Sequence, residues 1–236
     1  DLAVWKFLAQ SRYGGRCEIF QTGQVKGHIH EYDIKSSYPA CMRNEQFPNL
    51  DTMQRGKTIS DLDKAGVAFC TVTCPSMEFP LLPYKSEETG KLLFPIGTFQ
   101  GTWTYAELKK AVQLGYQILK IHDTIEYELM PSPFAPYIDF LYGLRQEAMW
   151  HDELMSYTLK ILMNALFGKW GEEGELLVIS RGKKHTMCQV PKHSNMIWAS
   201  YVLSYGRLAL YDYIQKASTF GLVLYCDTDS VFIKTQ

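Results

Sequence analysis

The sequence predicts an α+β fold: an antiparallel sheet with acidic turns, helices packed on one of its faces, a projecting helical hairpin and a strand-rich insertion. Three observations predict it. Short apolar runs bounded by Pro and Gly recur between Asn44 and Pro133, two helical patterns follow one another between Phe134 and Phe167, and the last segment returns to Leu222-Val223-Leu224 and Val231-Phe232-Ile233 around an acidic turn. With 236 residues, 46% of them hydrophobic, the chain is long enough to bury a core. It has no run of about 18 apolar residues that would span a membrane. No period of about 20 to 50 residues recurs and no tract is of low complexity, which excludes a repeat architecture.

Residues 1–26 read as a lead-in with a short strand over 17–21. A strand through His28-Ile29-His30-Glu31-Tyr32-Asp33 then enters a short helical segment around Pro39-Ala40-Cys41-Met42-Arg43. From 44 to 133 strands are expected at 67–73 and 124–128, with turns at Pro80, Pro83, Gly90, Pro95 and Gly101, and one helix over 105–114 closed by Gly115. Pro131 and Pro133 open a helix over 134–150, and a second runs over 152–167 after a tight bend. Leu176-Leu177-Val178-Ile179 and Met187-Cys188-Gln189-Val190 read as a hairpin with the basic tip Arg181-Gly182-Lys183-Lys184-His185. A helix over 195–216 carries Trp198, Tyr201, Tyr205 and Tyr211, aromatics that at helical spacing belong to a core.

The net charge is −1, so binding to a polyanion would rest on local clusters such as Arg181, Lys183 and Lys184, a run that reads equally as a solvated turn. Six cysteines show neither a C-x-x-C pair nor a partnering His spacing, as reduced thiols in a cytoplasmic setting would. No basic-apolar leader follows Asp1, so no targeting segment is expected.

The chemistry-bearing segments are three. Tyr225-Cys226-Asp227-Thr228-Asp229-Ser230 presents two carboxylates at the tip of an apolar hairpin, where they can meet a cation without desolvation. Asp also favours turns through bonds to its own backbone, so this segment alone is equally ordinary turn chemistry. A third carboxylate, Asp33, stands where a strand ends, and the free backbone N–H groups around Ser36 to Tyr38 can point at a phosphate. On the helix Lys160-Ile161-Leu162-Met163-Asn164-Ala165-Leu166-Phe167-Gly168-Lys169, a periodicity of about 100° per residue puts Lys160, Met163, Asn164 and Phe167 on one face. Ile161, Leu162, Ala165 and Leu166 are left as the packing side.

In this order, Asp33-x-x-Ser36-Ser37-Tyr38-Pro39, Lys160-x-x-x-Asn164-Ala165-Leu166-Phe167-Gly168 and Tyr225-x-Asp227-Thr228-Asp229-Ser230 resemble motifs A, B and C of the family B DNA polymerases. Tyr13-Gly14-Gly15-Arg16 resembles the Gly-Gly element that joins exonuclease and polymerase modules in the protein-primed branch of phages, adenoviruses and linear plasmids. The stretch Gly97-Thr98-Phe99-Gln100-Gly101-Thr102-Trp103-Thr104-Tyr105-Ala106-Glu107-Leu108 is similar to that branch as well. The resemblance implies a palm over 27–133, with a protein-primed-type insertion, and over 169–236, with fingers over 134–168. An exonuclease and a thumb would lie outside this chain, in flanking segments or a partner subunit.

It further implies a Mg²⁺-dependent transfer of dNTPs to the hydroxyl of a DNA primer, or of a terminal protein at initiation. Asp33 and Asp229 would bridge two Mg²⁺ ions, for which Mn²⁺ could substitute, with Asp227 in a supporting role. Lys160 and Arg145 would neutralise the triphosphate beside Ser36 and Ser37, and Tyr38 would exclude a 2′-hydroxyl. Asn164, Phe167 and Gly168 would face the nascent base pair, while Tyr13, Gly14, Gly15, Tyr225, Thr228, Arg181, Lys183 and Lys184 would follow the DNA. The sequence departs from the pattern at Ala165 (commonly Ser), Phe167 (commonly Tyr), Met149 (where a second basic residue often stands) and Arg12, which takes the Tyr place and displaces Tyr13 by one. Two rival readings stay open. One is a glycosyltransferase using Asp227-Thr228-Asp229 for a cation and a nucleotide sugar, which would not need the Asp33 and Lys160 segments; the other is a catalytically incomplete polymerase fragment that acts as a DNA-binding subunit.

Overall fold

The computed structural model describes residues 1–172, 174–180 and 183–235, with 174–180 and 183–189 described by their backbone alone. In chain order the elements are α1 (Leu2–Ala9), β1 (Cys17–Ile19), β2 (Ile29–Asp33), α2 (Ser37–Asn44), β3 (Phe47–Pro48), β4 (Gln54–Gly56), β5 (Ala65–Cys74), β6 (Tyr84–Lys85), β7 (Leu92–Leu93) and β8 (Gly97–Thr104). They continue with α3 (Tyr105–Gln113), β9 (Gln117–Tyr127), β10 (Leu129–Met130), α4 (Ala135–Ala148), α5 (Glu153–Trp170), β11 (Gly174–Ser180), β12 (Lys183–Gln189), α6 (Met196–Ser218), β13 (Gly221–Asp227) and β14 (Ser230–Thr235).

Two four-stranded antiparallel sheets carry the architecture, as the α+β expectation requires. The first has the order β1-β13-β14-β2 and contains both acidic segments; the second has the order β4-β9-β5-β8 and is built from strands that lie between them in the chain. On β5 the buried positions alternate from Ala68 through Cys70 and Val72 to Cys74, the period of a strand with one covered face. Helix α6 is the spine of the molecule. Its first half buries Met196, Ile197, Tyr201 and Val202 in a core shared with Met42, Phe47, Val67, Ile125 and Met163. Its second half buries Leu210, Tyr211 and Ile214 against Trp103, Leu108, Val223, Cys226, Val231 and Ile233. The aromatics of α6 therefore pack, as their spacing predicts.

Four expectations need correction. The lead-in contains a helix, α1, whose N-terminus is capped by the Asp1 carboxylate accepting from the Ala3 amide and whose Trp5, Phe7 and Leu8 are buried. The strand expected at 124–128 is the end of the 11-residue β9, paired with β5 from Gln117 onward. Gly101 lies inside β8 opposite Cys70 and is no turn; a Cβ there would stand 2.5 Å from the Trp103 ring, so glycine makes room for the indole. On α5 the division of faces is wrong: Met163 is fully buried and Leu159 nearly so, while Ile161 and Leu162 are exposed. Leu159 and Met163, with the half-buried Leu166, Phe167 and Trp170, meet the core, so Leu166 packs as expected. Lys160 and Asn164 are sequence neighbours of this packed set, not of an opposite face.

No helix among the described residues is long and apolar enough to cross a membrane. The five cysteines whose side chains are described, Cys17, Cys41, Cys70, Cys74 and Cys226, are all free thiols.

Candidate active site

The first sheet brings the acidic segments together by register. Strand β14 pairs with β13 on one side, Asp227 opposite Ser230, and with β2 on the other, Ser230 opposite Asp33. A two-residue turn, Thr228-Asp229, joins β13 to β14, and the Asp229 carbonyl accepts the Ile34 amide at 2.8 Å. Asp33 and the Asp227-Thr228-Asp229 tip thus stand at the same end of adjacent strands, although nearly two hundred residues separate them in the chain.

The three carboxylates differ in their surroundings. Asp227 accepts from Thr228 Oγ1 at 3.0 Å and from the Tyr225 hydroxyl at 3.2 Å. Asp33 and Asp229 enter no side-chain hydrogen bond with another described residue. Asp229 is held above the ordinary aspartate range, first by burial, then by repulsion from Asp33 and Asp227, against the partial relief of Lys160. That pattern places two other anions and one cation within electrostatic reach of Asp229. Among the described residues no three His, Cys, Asp or Glu side chains close into a cage that could hold an ion unaided.

Ser36 precedes α2 in a left-handed conformation, φ 54°, and leaves the first turn of that helix without a side-chain cap. Its hydroxyl accepts from Arg145 Nη1 of α4 at 3.2 Å, while the buried Arg145 Nε has no hydrogen-bond partner among the described residues. Ser37 is buried. The Tyr38 ring is half-buried between two neighbours: Phe167 of α5, with ring centroids 4.6 Å apart, and Gly206 of α6, where a Cβ would lie 2.8 Å from the ring. Burial chiefly, reinforced by Asp229 and opposed by Arg207, pushes the Tyr38 phenol up to about 12, so it is neutral at physiological pH. Asn164 donates to the Lys160 carbonyl at 3.0 Å within its own helix. Gly168 is exposed, with open space where a Cβ would be.

The segment 13–16 lies against the acidic turn. The Arg16 carbonyl accepts the Thr228 amide at 2.7 Å, and a Cβ on Gly15 would lie 2.8 Å from Thr228 Oγ1, so only glycine permits this approach. Tyr13 turns its ring into the core, where its hydroxyl accepts the Thr102 amide at 3.4 Å. Lys183 and Lys184 sit on β12 in a separate two-stranded sheet, opposite Ser180 and Ile179, and Arg181 lies outside the described residues.

Set against known proteins, residues 3–196 match the family described as DNA polymerase type B, organellar and viral. The chain belongs to that family. A probable DNA polymerase of Ascobolus immersus is 31% identical over 171 residues, 70% of this chain and 14% of that protein. The DNA-directed DNA polymerase of Enterobacteria phage PRD1 is 23% identical over 255 residues, covering 94% of this chain and 43% of its own length. Among solved structures, Phi29 DNA polymerase in its ternary complex with primer-template DNA and incoming nucleotide superposes on all of this chain and 44% of its own, with a TM-score of 0.76 at 16% identity. This chain therefore spans less than half the length of these polymerases.

Three further residues, to which the sequence patterns assign no role, support this acidic cluster and its neighbours. Glu107 and Arg207 form a buried ion pair with its N···O distance at 2.8 Å, and Gly206 seats Tyr38. A signal existed. Arg207 interrupts an apolar helix and Glu107 an apolar stretch, and two such charges are stable in a core only as partners.

Proposed function

We propose that this chain carries the nucleotidyl-transfer centre of a DNA-directed DNA polymerase, with palm and fingers arranged as 27–133 with 169–236, and 134–168. The observation that carries the proposal is the set of charges around Asp229: two more carboxylates at one end of one sheet, and Lys160 reaching them from α5. Family membership favours it over a nucleotide-sugar transferase.

The donor set fits divalent cations. Asp33 and Asp229, which make no side-chain hydrogen bond to another described residue and repel each other, would hold two Mg²⁺, or Mn²⁺ in their place, with Asp227 in support and the remaining positions left to water and substrate oxygens. Such ions, when bound, would supply charge neutralisation on the phosphates and activation of the attacking hydroxyl. The chain's own groups do the rest. The uncapped amides at the start of α2, around Ser36, Ser37 and Tyr38, point as anion donors do, and the unpartnered Arg145 Nε is a buried donor that an incoming triphosphate would satisfy. Lys160, within electrostatic reach of Asp229, adds a further cation. The Tyr38 ring, fixed between Phe167 and Gly206, occupies space that a 2′-hydroxyl would need.

Asn164, Phe167 and Gly168 would face the base pair. Gly14, Gly15, Tyr225 and Thr228 would line the primer-template beside the turn, with Tyr13 behind them and the β11–β12 hairpin as a further contact. The polymerase partners are DNA and dNTPs, with a terminal protein as primer at initiation, and with exonuclease and thumb segments completing the enzyme.

A labelled primer-template with single dNTPs tests the proposal. Incorporation should follow the template base and stop without divalent cation. Extension that ignores the template, or no extension by the chain with or without its flanking segments, would refute it.

A further inference from the structure

We propose that Glu107 is a positioning residue for the acidic turn, acting through Arg207 and the loop 13–16; the proposal rests on the polymerase reading of that turn. Glu107 and Arg207 have side chains only 1% and 2% exposed. Every strong acceptor and donor between them is used. Arg207 Nε and Nη2 donate to Glu107 Oε1 at 2.9 and 2.8 Å, and Oε2 accepts from Ser204 Oγ at 2.8 Å and Thr104 Oγ1 at 3.1 Å. With one side of the guanidinium so fixed, Nη1 faces the loop, where it donates to the Gly14 carbonyl at 2.9 Å and to the Tyr13 carbonyl. Two guanidinium donors converging on one carboxylate oxygen, with the other oxygen held by two hydroxyls, set orientation as well as energy.

The loop in turn holds the catalytic tip. Thr228 is a β-branched residue at φ 58°, a conformation that L residues with branched side chains rarely adopt. Three contacts keep it there: its amide to the Arg16 carbonyl at 2.7 Å, its side chain against the bare Gly15 backbone, and its hydroxyl to Asp227 Oδ1 at 3.0 Å. The far end of the loop is tied by a second buried arginine, Arg16, whose guanidinium donates to the Pro80 carbonyl and to Glu18, both at 2.8 Å, and lies 4.1 Å from the Phe94 ring centroid. A continuous chain of contacts therefore runs from Glu107 on α3 to Arg207 on α6, to Gly14 and Gly15, to Thr228 and its two flanking aspartates. Replacing the Glu107 carboxylate with an amide would keep one oxygen for Arg207, since the Ser204 and Thr104 hydroxyls can accept the N–H₂, but would leave the Arg207 charge buried without an anion. The guanidinium would then lose its fixed orientation toward the loop.

Hydrogen exchange across the whole chain, in wild type, Glu107→Gln and Ser204→Ala, tests this. In Glu107→Gln the amides of 13–16 and 225–229 should exchange about tenfold faster while those of β5 stay at the wild-type rate, and Ser204→Ala should show the same pattern at about threefold. In single-nucleotide incorporation, Glu107→Gln should lower the rate at saturating dNTP about tenfold with the dNTP KM within about twofold, where a merely structural role would lower the active fraction instead. Unchanged protection of loop and turn, in whichever of the two variants folds, overturns the proposal. A wild-type chain that extends no primer with or without its flanking segments would refute the polymerase reading, and the exchange comparison would still decide this one.

Discussion

The strand hairpin β13–β14 and the helical hairpin α4–α5 both bring charge to the acidic cluster, and they are anchored differently. β13 is paired along its length with β14 and flanked by β1, and β14 is paired again with β2, so the aspartates ride on backbone ladders with Val223, Cys226, Val231 and Ile233 buried beneath them. α5 buries Leu159 and Met163 among its 18 residues, and α4 buries Ile138, Leu141 and Ala148, while Phe140, Trp150, Leu154 and Tyr157 are exposed. An exposed ion pair, Arg43 with Asp139, links α2 to α4 and adds little in solvent. Asp227 and Asp229 sit on a hairpin paired on both sides, with Asp33 on the exposed edge strand β2, and Lys160 on a helix that buries few of its residues. This is the arrangement expected where anions hold a fixed centre and cations come and go with the substrate.

Substitutions on the two sides should therefore fail in different ways. The largest effect is predicted for Asp33→Asn and Asp229→Asn, with the rate at saturating dNTP falling about 10³-fold or more and Asp227→Asn falling less, because Asp227 is already bonded within its own hairpin. Folding should not suffer. A carboxyl held above its ordinary range costs stability while it is ionised, so metal-free Asp229→Asn should be at least as stable as wild type at pH 7. The difference should vanish as pH falls below the ordinary aspartate range, where both states are protonated; a thermal melt series across pH reads this directly.

Next in size is Lys160→Ala, which should raise the dNTP KM by about 10- to 100-fold through loss of a phosphate cation, with a smaller change in the saturated rate. A pure rate defect would place Lys160 with the fixed centre. Tyr38→Val should reduce discrimination against ribonucleotides by about tenfold or more, measured as the ratio of kcat/KM for dNTP and rNTP. The smallest effect is expected from Gly206→Ala, whose Cβ would displace the Tyr38 ring and change the same ratio by about two- to fivefold. A ratio that moves for neither variant would remove Tyr38 as the sugar gate.

What was legible in the sequence follows the same division. The strand hairpin and the approximate extent of α6 are visible because period and turn chemistry are local signals. The convergence of Asp33 with Asp229 is not local, and only the motif order suggested it. The faces of α5 were misread because apolar Ile161 and Leu162 look like core residues, while their exposure follows from how few elements cover that helix. Glu107 with Arg207 could not be paired from spacing, since a hundred residues separate them and their match is a property of the packed core. The close approach of Gly15 to Thr228 likewise accounts for the second glycine of the Gly-Gly element and is not visible in sequence, while Gly14 has open space where a Cβ would be.

The most direct test is the single-turnover rate of one templated nucleotide against dNTP concentration, with wild type, Asp229→Asn and Lys160→Ala under one set of conditions. Asp229→Asn should keep its concentration midpoint and lose about 10³-fold of the plateau, and Lys160→Ala should shift the midpoint and keep most of the plateau. A plateau within tenfold of wild type for a folded Asp229→Asn would contradict the assignment of the acidic turn as the catalytic centre.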